Sequence, residues 1–215
     1  MDSVAWKYVE ELQPTLELAQ KLGLIGSGGV EPHIRHSLGY AHVIHHATGW
    51  VVPRRVLDLG SGGGLPGLVL AVYWRQSRHT WLDASRKSAT FLHQAIDRHH
   101  LNGHVSVICE RAETIGRRSD QRGTYDVVVA RAFAGPAVTA ECAAAFLEVG
   151  GVLVVSEPPG TQASDRWSVD ALSELGLEPR ARLRTEFAYQ VFIQRRSCPS
   201  RYPRRVGIPG KRPLF

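Results

Sequence analysis

No stretch of this 215-residue sequence approaches the run of about 18 apolar residues that a membrane span needs. Glu10 and Glu11 stand where a secretory leader would carry its apolar core. A cytoplasmic protein without a membrane partner is therefore expected, acting as a monomer. Cysteine is scarce: Cys109, Cys142 and Cys198 are far apart, odd in number and without a CxxC pair, which argues against both a disulfide frame and a zinc knuckle. Cys109 and Cys142 lie among apolar neighbours and read as small buried hydrophobes. The histidine groups 42, 45, 46 and 99, 100, 104 have no carboxylate or cysteine complement, so no metal site is expected. Acidic residues are missing altogether from 195 to 215, where seven cations stand, leaving 19 basic and 20 acidic residues before them. The formal charge of +6 is thus a property of one segment. That segment also holds Pro199, Pro203, Pro209 and Pro213 and is expected to be extended and poorly helical. Arg201, Arg204, Arg205, Lys211 and Arg212 make it either a phosphate-gripping arm or a solvated tail; composition favours neither.

What is present is the usage of one ordinary globular domain, 43% hydrophobic and 21% charged. Three parts are expected: a helical cap over 1–50, a main domain over 51–196 and the basic tail over 197–215. Residues 3–22 place Val4, Tyr8, Val9, Leu12, Leu16, Ala19 and Leu22 near helical spacing, with Pro14 predicting a kink or break. A second helix is expected near 31–48. From there apolar runs predict strands at 55–59, 79–83, 104–109, 125–130 and 151–156, alternating with helices at 65–76, 86–100 and 136–148. A helix after Trp167 and two strand-like pieces, "RARLRTEF" and "AYQVFIQRR", complete the chain. The pattern predicts an α/β fold with a mostly parallel seven-stranded sheet, helices on both faces, an antiparallel edge and an N-terminal helical region.

The stretch "VLDLGSGGGLPG" follows a strand and opens a helix, where small residues let a nucleotide approach the backbone. Gly62, Gly64 and Gly67 satisfy G-x-G-x-x-G, a weak signal alone. Asp58 would repel a pyrophosphate there but attract the ammonium and sulfonium of S-adenosylmethionine. The loop, with Gly60, Ser61, Gly62, Gly64 and Leu65, is therefore read as receiving that cofactor's amino-acid end; the plainer alternative is a tight turn in which Asp58 caps nearby amides. Asp83, nineteen residues past Gly64 and followed by Ala84, is placed to accept the ribose hydroxyls, a feature NAD sites share. Ala112 and Glu113 would meet the adenine. Arg131, ending "YDVVVAR", would hold a carboxylate, a phosphate or Glu113. All of these fall beyond strand ends on one edge, where such sheets bind ligands.

At these residues the sequence resembles the glucose-inhibited division protein B family, the RsmG-type methyltransferases. The specific pieces are "DLGSGGGLPGLVLA", "RAETIGRRSDQRGTYDVVVARAFA" and "RYPRRVGIPGKRPL". The resemblance implies a Rossmann-like class I methyltransferase that uses S-adenosylmethionine to methylate N7 of a guanine in 16S ribosomal RNA, with the small ribosomal subunit as partner. It implies cofactor roles for Gly60, Leu65, Ala112, Glu113 and Arg131. On the RNA side it points to His36, in "HSLGY", and to Lys87. Three departures stand out: Gly39 and Tyr40 replace an aspartate and a serine, Ser88 follows Lys87 where an arginine is usual, and Glu157 replaces a lysine ending the fifth strand. Guanine N7 carries a lone pair and no proton, so alignment suffices, and no nucleophile–base pair stands out. Glu157 is the one candidate for easing the positive charge that reaches the base. A small-molecule methyltransferase and a non-catalytic S-adenosylmethionine-binding protein are the alternatives, and a dehydrogenase comes last.

Overall fold

The computed structural model describes residues 2–158, 166–184 and 186–215, and among the first nine residues only the Tyr8 side chain. Seven strands form one sheet: β1 (Arg55–Leu59), β2 (Arg78–Asp83), β3 (Val105–Cys109), β4 (Tyr125–Ala130), β5 (Leu147–Glu157), β6 (Leu177–Arg184) and β7 (Ala188–Gln194). Their order is β3-β2-β1-β4-β5-β7-β6. The first five run parallel, while β7 pairs antiparallel with both β5 and β6. In β4 every residue of "YDVVVA" is buried, as a strand covered on both faces requires. The order reverses between β1 and β4, which opens a crevice at their carboxyl ends.

Alternation along the strands sorts the helices. Val56, Val127, Val129 and Val154 face α2 (Val30–Thr48) and α3 (Gly67–Tyr73), and Trp81 faces α1 (Asp2–Lys21) and α4 (Arg86–Arg98). Leu57, Leu59, Val128 and Leu153 face the other way, towards α5 (Ala112–Ile115), α6 (Pro136–Ala144) and α7 (Val169–Glu174). The two edges are β3 and β6; on β6 Glu178, Arg180, Arg182 and Arg184 are exposed and the pairing slips between Pro179 and Ala181.

Several expectations change. Helix α1 runs unbroken through Pro14, because the ring costs one backbone bond while Leu12, Leu16 and Ala19 are fully buried around it. Val4 and Val9 lie outside the described side chains. Cys142 is buried as expected, but Cys109 is exposed where β3 ends. Helix α6 stops at Ala144, and β5 begins at Leu147. Packing also crosses both expected domain boundaries. Leu12, Leu16 and Ile34 share a core with Leu68 and Phe91, and Cys198, Tyr202 and Leu214 join the core beside α6.

The basic segment is thus a docked part of the body and not a free extended arm, and α8 (Ile208–Lys211) adds a helical turn to it. Arg122 donates to the carbonyls of Cys198, Pro199 and Tyr202. Arg204 grips the fully buried Glu141 through Nη2 at 2.6 Å and Nε at 3.0 Å, and its own N–H adds a third bond. The departures at 39 and 40 are equally structural. A Cβ at Gly39 would overlap the Tyr189 hydroxyl, which donates to the His36 carbonyl, while the buried Tyr40 hydroxyl donates to the Ala130 carbonyl at 2.8 Å. Together they bind α2 to β7 and β4.

Arg204→Ala leaves a fully buried carboxylate unpaired and is expected to lower the unfolding free energy by about 3 kcal/mol. Urea denaturation reads this, and adding Glu141→Gln to that variant should recover part of the loss. A change within about 0.5 kcal/mol, the usual surface value, would return the segment to a solvated tail.

Candidate functional site

The turn from β1 to α3 is held by backbone bonds to the end of β2. Gly60 and Ser61 N–H both donate to the Leu82 carbonyl, at 2.8 and 3.2 Å, and Gly62 N–H donates to Asp83 Oδ2 at 2.8 Å. Asp83 Oδ1 accepts the Ser85 N–H, which fixes the carboxylate at the mouth of the crevice. Gly60 has φ +77°, and a Cβ there would fall 2.5 Å from the Phe133 ring. Position 60 therefore admits glycine on two counts.

A cavity of about 570 Å³ opens at this edge. Of the residues expected to bind a cofactor, Gly60, Ser61, Gly62, Leu65, Asp83, Ala84, Ala112, Glu113 and Arg131 line it. Asp58 and Gly64 do not. Gly64 is spent inside the turn, its N–H donating to the Ser61 carbonyl. Asp58 is buried behind the loop with Oδ2 accepting the Gly67 N–H at 2.9 Å, so the capping alternative describes one of its oxygens. Its other oxygen, Oδ1, is buried without a partner among the described residues.

Glu113 and Arg131 are not paired, contrary to one expectation. Burial would push the Glu113 carboxyl up, but the Gly207 N–H at 3.1 Å, its own N–H and Arg111 outweigh burial and hold it below the ordinary range. Arg131 Nη2 instead meets His33 Nδ1 at 2.8 Å, and its Nη1 is buried without a described partner. Burial, followed by the Arg131 charge, lowers the His33 pKa, so the ring stays neutral and accepts from the guanidinium. His33, Phe133 and Arg111 line the cavity and were missed in the sequence. His33 stands one turn before His36, which was the available signal. Nothing signalled Ala132, which has φ +54° immediately after Arg131, a backbone state that alanine rarely holds outside functional sites.

None of the residues expected to touch substrate lines this cavity. His36 stacks on Phe187 at 4.5 Å, and burial, then Arg131 and His33, take its pKa to about 3. Lys87 Nζ donates to the Leu22 carbonyl, tying α4 to the end of α1. Arg204 is committed to Glu141, whereas Arg201, Arg205, Lys211 and Arg212 are exposed. Glu157 does not face the cavity either: Oε2 accepts Arg166 Nη1 at 2.6 Å and Oε1 accepts Trp167 Nε1 at 2.7 Å, with no exposed side-chain surface. Its charge is already balanced, so it cannot ease charge on a reacting base.

Residues 5–169 match the family described as GidB, rRNA small subunit methyltransferase G. A ribosomal RNA small subunit methyltransferase G of Rubrobacter xylanophilus is 36% identical over 176 residues, covering 74% of this chain and 65% of that protein. The protein of the same name from a Thermotoga species is 38% identical over 166 residues, covering 74% and 72%. The chain thus matches about two thirds of the length of such relatives. Among solved structures, a putative O-methyltransferase of Klebsiella pneumoniae superposes with a TM-score of 0.61 at 12% identity, covering 90% of this chain and 97% of that one. An O-methyltransferase of Bacillus cereus in complex with SAH gives 0.57 at 16%, covering 87% and 96%. These likenesses give the fold: the class I methyltransferase architecture expected from the sequence.

Asp58 sets a measurable pH dependence. Burial pushes its pKa up to about 7, against the Gly67 N–H and Ser61, with Asp83 adding to the rise and Arg131 opposing it. The folded chain therefore holds this proton more tightly than the unfolded one, and the stability it contributes below about pH 4 is lost as pH rises through about 7. The stability of the native protein minus that of Asp58→Asn should fall over that interval by at most about 4 kcal/mol and then level off. Urea unfolding at a series of pH values checks this, and a flat difference would refute it.

Proposed function

We propose, for a chain that belongs to the rRNA small subunit methyltransferase G family, that it transfers a methyl group from S-adenosylmethionine to N7 of a guanine in 16S ribosomal RNA. The observation that carries this reading is the cavity at the β1–β4 switch point, whose glycine turn and two carboxylates lie inside the matched region. The residues present fit the cofactor. Two buried polar atoms, Asp58 Oδ1 and Arg131 Nη1, lack partners among the described residues, and an amino-acid end carries an ammonium for the one and a carboxylate for the other. Asp83 would accept the ribose hydroxyls with lone pairs left over from the Gly62 and Ser85 N–H groups. Ala112 and Glu113 would meet the adenine, and Gly60, Ser61, Gly62, Leu65 and Ala84 would let it lie close. Asp58, behind the loop, would act on the ammonium through its field once that positive charge draws off the proton that burial makes Asp58 hold.

When bound, the cofactor supplies an electrophilic methyl group on a sulfonium. The protein then has little proton chemistry to perform, since guanine N7 offers an in-plane lone pair without a proton to remove. Phe133 and the strained Ala132 at the end of β4 set where the acceptor ring can lie. RNA contact is carried by the exposed cations Arg201, Arg205, Lys211 and Arg212. Arg204, Lys87 and the uncharged His36 are committed to the protein's own structure. A soluble, cytoplasmic monomer suits a ribosomal substrate, and no described helix is long and apolar enough to cross a membrane.

Purified protein incubated with methyl-tritiated S-adenosylmethionine and small ribosomal subunits from a strain without such an enzyme should return label as 7-methylguanosine. Label confined to an RNA-free extract, or absent despite S-adenosylhomocysteine binding, would overturn the assignment. Combining Arg205→Ala, Lys211→Ala and Arg212→Ala should reduce the slope of log affinity for the RNA against log salt by about 2, at roughly 0.7 to 0.9 for each phosphate that is no longer neutralised. An unchanged slope would move the RNA to another face.

A further inference from the structure

A second, smaller hollow adjoins the cavity and shares Ala132, Phe133 and Ala134 with it. Its volume is about 30 Å³, room for a group of one or two heavy atoms, since a water needs at least about 10 to 15 Å³. Its polar lining includes Ser156 and Arg166. Among the described residues the Arg166 guanidinium has one carboxylate partner, Glu157, at 2.6 Å. That carboxylate is fully buried and is steadied on its other oxygen by Trp167. The Arg166 side chain remains 26% exposed. A long, flexible cation is thus held at one nitrogen by a buried carboxylate that also anchors Trp167, and its remaining donors meet no partner among the described residues, which leaves them for a ligand.

We infer that Arg166, held by Glu157, selects the methyl-accepting base by donating to its carbonyl oxygen in the hollow beside Phe133. The inference rests on the methyl-transfer reading above. The hollow is too small for a ring and the right size for an oxygen, so the ring must stay at the Phe133 wall, next to the cavity. Guanine presents the O6 acceptor beside N7, whereas adenine presents an amino donor in the same place, which a guanidinium rejects. A single oxygen in this hollow also describes a backbone phosphate, and salt dependence separates the two. In this arrangement Arg166 reads the base, and Glu157 is a positioning residue.

The test uses the full chain with small ribosomal subunits and compares the native protein with Arg166→Lys and Glu157→Gln. Both substitutions keep approximate shape, and Arg166→Lys keeps a charge beside Glu157. Arg166→Lys should lower kcat about 10- to 100-fold, with the Kd for S-adenosylhomocysteine and the salt slope of RNA binding unchanged. Glu157→Gln should lower kcat about 10-fold, and the double variant should lose no more than Arg166→Lys alone, because both act through one group. A raised KM with a shallower salt slope and unchanged kcat would assign the hollow to a phosphate and overturn the base-reading role. Unchanged kinetics in both variants would overturn it as well. Absence of label in rRNA with the native protein would instead strike the methyl-transfer reading itself.

Discussion

The carboxyl edge of the sheet depends on how closely three segments approach the backbone between Gly60 and Gly67. Phe133, from beyond β4, lies against Gly60; Ile25, from the link between the first two helices, lies against Gly63; and Trp81, from β2, lies against Gly67. A Cβ at any of the three would come within 3 Å of its neighbour. The turn is therefore the point where the N-terminal helices, the second strand and the fourth strand share one volume. The same crowding draws the Leu82 carbonyl and the Asp83 carboxylate onto the loop amides, and so sets the cavity floor.

Much of this was legible from local chemistry. The apolar runs at 55–59 and 125–130 have the composition of doubly covered strands, and their bounds match β1 and β4. The glycine turn, Asp83, Ala112, Glu113 and Arg131 could be placed on one edge because each follows a strand end. What escaped was non-local. Pro14 predicted a break because the pattern cannot weigh one lost hydrogen bond against three fully buried side chains. His33 pairs with a residue 98 positions away. The basic segment read as free since nothing near Arg204 announces Glu141, 63 residues earlier.

Buried carboxylates explain both the order of the basic segment and the departures from the family pattern. Charges removed from water must be matched by bonds, and Glu141 and Glu157 are each matched by an arginine together with a further donor. Glu157, odd as a bare negative charge where lysine is usual, becomes consistent once Arg166 stands against it. Gly39 becomes consistent once Tyr189 is seen to fill its place. Gly39, Tyr40 and Glu157 each answer to a partner elsewhere in the fold, so these positions compared in isolation overstate how far this chain has drifted.

The edge strand β6 has a bearing on crowding. A free strand edge is a template on which another copy can add hydrogen bonds. Here β6 places exposed charges at Glu178, Arg180, Arg182 and Arg184, and its pairing slips beside Pro179, which has no N–H to offer. Two such edges brought together would set arginines against arginines along an irregular ladder. This edge is therefore kept from joining the sheet of another copy even where the molecule is crowded.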